Sequence, residues 1–164
     1  MTNQENLAAF ENTERFLAFK LLNTFDTVQQ IDFTSGKICY DVEINLKNNK
    51  KALGECKVRN FQADKYPDYI LEVMKLTSLI KKAQKTNSEF IYYINFFINE
   101  DNTKRDFIIF NLSERCKVWK TEKPQIKKMW MNHCTYISNV KVEKEIILLQ
   151  YDPKIDKRGT FSLN

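Results

Sequence analysis

Two periodicities organise the chain. Residues 7–23 carry Phe10, Phe16, Leu17, Phe19, Leu21 and Leu22 crowded on one side with polar residues between them. That spacing predicts an amphipathic helix with Thr13 and Glu14 in its middle. The period then drops to two. Residues 28–34 are rich in β-branched and aromatic side chains and read as a strand. Ser35-Gly36-Lys37 reads as a turn. Residues 38–46 alternate strictly: Ile38, Tyr40, Val42, Ile44 and Leu46 on one face, Cys39, Asp41, Glu43 and Asn45 on the other. A turn is expected at residues 48–50, because Asn tolerates the left-handed region. Residues 51–59 form the third strand, with Ala52, Gly54, Cys56 and Val58 on one face and Leu53, Glu55, Lys57 and Arg59 on the other.

Past a loop, Pro67 marks a helix start. A helix is predicted to about Lys85, with Ile70, Val73, Met74, Thr77 and Ile80 inward and Lys81, Lys82 and Lys85 at its C-terminal end. Residues 89–99 are apolar on both faces, as in a buried parallel strand. Residues 105–112 return as another strand. Residues 113–130 are basic and part helical, broken near Pro124. Residues 142–151 read as a last strand, and the final dozen residues as loose chain. Three strands, a crossover helix and a further strand predict an α/β mixed sheet with helices packed on it and a right-handed crossover.

Bulk properties narrow the class. The 164 residues are 43% hydrophobic and 29% charged, with three glycines and three prolines. This predicts a single globular domain over residues 1–164 without long linkers. No signal peptide or membrane span is visible, so a soluble, cytoplasmic protein with no membrane partner is expected. The four cysteines are scattered and read as reduced core residues. The net charge of +5 suits a polyanionic partner. A single histidine, His133, argues against a histidine-pair nuclease.

Charge patterning on the central hairpin supplies candidate chemistry. A three-residue loop at 48–50 would set Glu43 opposite Glu55 and Asp41 opposite Lys57, gathering four charged side chains on one face. Facing carboxylates repel, and a divalent cation between them removes the penalty. Oxygen ligands at this density suit Mg²⁺ (or Mn²⁺).

Asp41, followed after a turn by Gly54-Glu55-Cys56-Lys57, resembles the PD-(D/E)XK nuclease signature. The order helix, three strands, helix, strand is similar to that family's restriction-endonuclease-like αβββαβ core. The resemblance covers roughly residues 7–112, leaving residues 113–164 as a C-terminal β/α extension. The residue before Asp41 is Tyr40 where the family's motif has proline. The resemblance implies a metal site of Asp41, Glu55 and the backbone carbonyl of Cys56, with Glu43 as an alternative ligand. It implies that Lys57 assists the water nucleophile. It also implies a supporting glutamate from the first helix, Glu14, with Glu11 as the alternative.

Two functions follow as expectations. One is a Mg²⁺-dependent endonuclease acting on DNA in preference to RNA, with a homodimer allowed because two strands need two sites. The other is a catalytically inactive module of the same fold that binds nucleic acid or a protein. Arg59, Lys65, Lys75, Lys81 and Lys82 are the candidate nucleic-acid contacts, with Lys117, Lys120, Lys123, Lys127 and Lys128 beyond them. Trp119, Trp130 and Tyr136 interleave with the later lysines and are assigned to core packing.

Overall fold

Burial of apolar stripes on both faces of one sheet sets the architecture. The computed structural model describes residues 3–34, 41–117, 119–121, 134–139 and 144–164, with side chains over 13–34, 41–117, 119–121 and 145–164. Helix α1 (Asn3–Leu22) leads into β1 (Val28–Phe33), β2 (Val42–Leu46) and β3 (Lys51–Gln62). Next come β4 (Tyr69–Glu72), α2 (Val73–Lys85), β5 (Phe90–Ile98), β6 (Lys104–Asn111) and the single turn α3 (Leu112–Arg115). The chain ends with β7 (Cys134–Asn139), β8 (Lys144–Leu149) and β9 (Lys157–Ser162). The main sheet runs β1-β2-β3-β5-β6-β9, and a smaller one runs β4-β8-β7.

Strand β5 lies parallel to β3 and antiparallel to β6. It is buried on both faces, as apolar residues on both of its faces require. Even-numbered Ala52 and Cys56 of β3 pack with Leu17, Ala18, Leu21 and Leu22 of α1. Odd-numbered Leu53 packs with Leu76, Leu79, Ile80 and Ala83 of α2. The strand therefore alternates between two cores, one under each helix. Apart from β4, which lies between β3 and α2 and belongs to the second sheet, the order α1, β1, β2, β3, α2, β5 is the expected αβββαβ order, and the main sheet is mixed as anticipated. No helix among the described residues is long and apolar enough to cross a membrane.

Several local expectations need correction. The β2–β3 loop spans 47–49, not 48–50: Leu46 N–H bonds the Lys50 carbonyl at 2.9 Å, and Asn49 takes the left-handed conformation at φ 64°. The pairing therefore shifts by two residues, to Glu43 opposite Leu53 and Val42 opposite Gly54. The loop keeps its odd length, so no side chain changes face.

Residues 69–72, expected to open the crossover helix after Pro67, instead form β4 against β8. The helix begins at Val73, and its buried stripe is Leu76, Leu79, Ile80 and Ala83. Ile70 and Met74, placed inward by the sequence reading, are exposed. In α1 the buried pairs Leu17/Leu21 and Ala18/Leu22 follow helical spacing, while Phe16 and Phe19 face solvent. The last residues are ordered as β9, which hydrogen-bonds to β6 and completes the main sheet. Beside it lies a buried ion pair of Arg115 with Asp156, whose carboxylate also accepts from the Asn111 and Asp152 amides at 2.9 Å each.

Trp119 is buried, as assigned, and Cys56 and Cys116 are buried free thiols. The segment 38–40, the side chains of Glu11, Cys134 and Tyr136, and the residues Lys123, Lys127, Lys128, Trp130 and His133 lie outside the described residues.

Candidate active site

The site forms where β3 outruns β2. Asp41 stands at a bend just before β2, and its backbone is fixed on both sides. Its N–H donates to the Gly54 carbonyl at 2.9 Å, and its own carbonyl accepts from Thr34 N–H at 3.0 Å. Beyond Gly54 the edge of β3 needs new acceptors. Asp41 Oδ2 accepts from Cys56 N–H at 2.7 Å. Two residues on, the Val58 amide hydrogen-bonds the Glu14 carboxylate, which arrives from α1. N–H and C=O of one strand residue point the same way, so the Cys56 carbonyl opens toward the same edge.

Gly54 makes this approach possible. A Cβ at that position would lie 2.7 Å from Val42 Cγ1. That is too close for any side chain while Val42 holds Asp41 against the strand.

Glu55 follows immediately and is 4% exposed. Lys75 of α2 reaches over the sheet to ion-pair with Glu55 Oε1. Lys57 lies two residues further along β3, beside Asn95 of β5. Its charge acts on Glu14. Glu14, Asp41, Glu55, Lys57 and Lys75 thus converge from α1, the bend before β2, β3 and α2.

The electrostatics report crowding of acids. Burial, then the charge of Asp41, push Glu55 up to about 7 against the pull of Lys75. Burial and the same Asp41 push Glu14 up to about 7, against Lys57 and the Val58 amide. Burial alone would lower Lys75, but Glu55 and then Asp41 outweigh it and raise it. Burial drives the Cys56 thiol well above its ordinary range, so it stays protonated and is no nucleophile.

The arrangement brings together most of the residues anticipated and separates others. Glu43 does not join the cluster, since its cross-strand neighbours are Leu53 and Asp32. Lys75, expected as a nucleic-acid contact, is instead tied to Glu55. Lys65 lies over the Tyr66 ring at 5.4 Å. Lys82 is two turns beyond Lys75, about 10 Å along the helix axis, and Lys81 is exposed on another side. Arg59 is held by three oxygens: Asn95 Oδ1 at 2.9 Å, Tyr93 Oη at 2.9 Å and the Ile70 carbonyl at 3.1 Å. Asn95 and Tyr93 were not anticipated. The available signal was a lone amide inside the apolar run of β5, whose buried oxygen calls for a donor such as Arg59.

No protein-family model matches the sequence, and no curated protein matches it. Among solved structures, the chain is similar to Hjc, a Holliday junction resolvase from the archaeal hyperthermophile Archaeoglobus fulgidus. The identity is 12% and the TM-score 0.48, over 84% of this chain and 87% of that one.

The donor set can be tested against Mg²⁺ directly. Among the described residues, no three His, Cys, Asp or Glu side chains form a ready metal cage. Mg²⁺ does not require one: it takes one or two carboxylates, keeps several waters and completes its shell with phosphate oxygens. Asp41 and Glu55, two mutually repelling carboxylates beside an outward carbonyl, fit that chemistry.

Proposed function

We propose that the protein is a metal-dependent nuclease that hydrolyses phosphodiester bonds, with DNA as the preferred substrate. The observation that carries this reading is the convergence of Glu14, Asp41 and Glu55 at the end of the β2–β3 pairing, with Lys57 and Lys75 beside them. Glu14 and Glu55, both pushed up by burial and by the charge of Asp41, mark a place prepared for positive charge.

Asp41 and Glu55, with the Cys56 carbonyl, would hold Mg²⁺ or Mn²⁺, which supplies a Lewis acid and a more acidic bound water. The backbone bonds of Asp41 to Gly54 and Thr34 fix the first carboxylate before any ligand arrives. Glu14, anchored by the Val58 amide beside Asp41, would be placed to accept a proton from an attacking water. Lys57 places a fixed positive charge beside the carboxylates, where negative charge would grow on the phosphoryl oxygens. Lys75 holds Glu55 in place through its ion pair and would share that carboxylate with a bound cation. Arg59 and Lys65 extend the positive surface along β3 and the loop after it. A homodimer would supply a second site for the second strand of a duplex.

One observation favours the alternative, a binding module of the same fold without turnover. Lys75 already neutralises Glu55 within the protein. Cleavage assays on linear, nicked and branched DNA, with and without Mg²⁺, separate the two. The nuclease reading expects metal-dependent cleavage that Lys57→Ala and Glu55→Ala abolish. Full cleavage by both variants rules it out, and binding without cleavage in the wild type selects the module.

A further inference from the structure

Beyond Lys57, the same face of β3 continues into a second feature. Odd-numbered Glu55, Lys57, Arg59 and Phe61 follow one another along it. Arg59 contacts Tyr93, and Phe61 packs on Phe97 with ring centroids 6.0 Å apart, both on the core side that faces α2. The row ends at a cavity of about 360 Å³, lined in part by Arg59, Phe61, Tyr66, Tyr69, Ile70 and Asp68. Its volume is at the small end of ligand pockets. Lys57 and Phe61 are four residues apart, at most about 13 Å, because β3 is irregular against β5 between Val58 and Gln62.

Three properties of this cavity point to one occupant. First, its walls are aromatic, and one ring is half exposed to solvent. Tyr66 is 49% exposed, and Phe61 meets it edge to face at 5.0 Å, which holds the ring in place. Second, its rim is cationic. The Lys65 ammonium lies 5.4 Å from the Tyr66 ring centre. The Arg59 guanidinium is fixed by three neutral oxygens, and among the described residues no carboxylate pairs with it. A half-buried guanidinium held in one orientation without a counter-ion is prepared for an anion from outside. Third, the Asp68 carboxylate on the wall, 3.0 Å from Gln150 Nε2, can accept from the amino group of a base.

We propose that this cavity is a subsite for an unpaired nucleobase of the substrate, stacked on Tyr66, with Arg59 on the adjoining phosphate. The proposal rests on the nuclease reading above and adds a substrate class to it: nucleic acid with a single-stranded or displaced nucleotide near the cut. Along a stacked strand at 3.4 Å per nucleotide, that base lies within about four nucleotides of the carboxylates. A fully paired duplex buries its base faces and leaves Tyr66 nothing to stack on.

The test is a comparison of Tyr66→Ala and Tyr66→Phe with the wild type. Affinity is measured by fluorescence anisotropy in EDTA and again in Ca²⁺. The probes are a short single-stranded DNA, an abasic strand of equal length, and a duplex. The wild type should prefer the base-bearing single strand to the abasic one. Tyr66→Ala should bind it about 5- to 100-fold more weakly, the range of one lost base–aromatic stack, and should no longer distinguish the two strands. Tyr66→Phe should retain the preference. Equal binding of base-bearing and abasic strands by the wild type, or an unchanged preference in Tyr66→Ala, overturns the subsite, as does failure to bind any single strand. If the subsite falls by those results, metal-dependent cleavage of duplex DNA by the wild type shows that the nuclease reading stands without it. Loss of cleavage in the wild type itself would remove both.

Discussion

Replacing Glu55 by glutamine should stabilise the protein while disabling it. Glu55 is 4% exposed and its carboxyl is pushed from 4.5 to about 7 by burial and by Asp41. A raised folded-state value means that the charge opposes folding. Stability is full below the unfolded value and is lost as pH rises from about 4.5 through about 7. At 1.36 kcal/mol per unit, ionised Glu55 costs about 3 kcal/mol at pH 8. Lys75 already counts in that balance, since its attraction partly offsets the burial. Glutamine keeps the shape and avoids the charge, so Glu55→Gln should gain about 1–3 kcal/mol at pH 8. For a chain of this size that is a Tm increase of roughly 3–9 °C. At pH 4 both proteins are neutral at this position and their melting points should coincide. Mg²⁺ should raise the wild-type Tm at pH 8 by occupying the site, and should leave Glu55→Gln unmoved. Scanning calorimetry at the two pH values, with and without Mg²⁺, gives all four numbers. A variant that melts at or below the wild-type temperature at pH 8 would refute the electrostatic argument. So would an equal gain at pH 4.

Two further predictions concern the frame that holds the site. Gly54→Ala brings a methyl to 2.7 Å from Val42 Cγ1, so urea denaturation should show a loss of about 1–3 kcal/mol. Val42→Ala added to it should recover part of that loss, and additivity of the two would contradict the contact. Arg115→Met leaves the buried Asp156 carboxyl without its guanidinium partner, which should cost about 3–5 kcal/mol by the same measurement. The double change with Asp156→Asn should recover most of it.

Much of the fold could be read from the residue pattern, because strand parity is robust. The alternation in β3 placed Ala52 and Cys56 under one helix and Leu53 under the other regardless of pairing details. The buried run of β5 was equally plain. Register was not legible, because Asn48, Asn49 and Lys50 offer two loops of equal length. The structure takes the loop 47–49, with Asn49 left-handed and Leu46 N–H bonded to the Lys50 carbonyl. That shift separates Glu43 from Glu55 and leaves Asp41 beside Gly54 and Cys56.

The start of α2 was misread because residues 69–72 carry both periodicities. Their pairing with β8, nearly eighty residues away, overrides the local signal. The polar ending of the chain hid β9, an edge strand with only Phe161 buried. Edge strands need few apolar residues, so composition alone cannot reveal them. At the site, Asp41, Glu55 and Lys57 were visible as a spaced motif, and Glu14 as the central acid of α1. The tie of Lys75 to Glu55 and the hold of Asn95 on Arg59 depend on packing between α2, β3 and β5. No short-range pattern encodes those contacts.

The most direct test of the central claim is isothermal titration of Mg²⁺ and of Mn²⁺ into the wild type, Asp41→Asn and Glu55→Gln, each alone and with DNA present. The account predicts saturable binding in the wild type that is strengthened by DNA and lost in both variants. Absence of binding in the wild type even with DNA, or binding by either variant equal to that of the wild type, would contradict it.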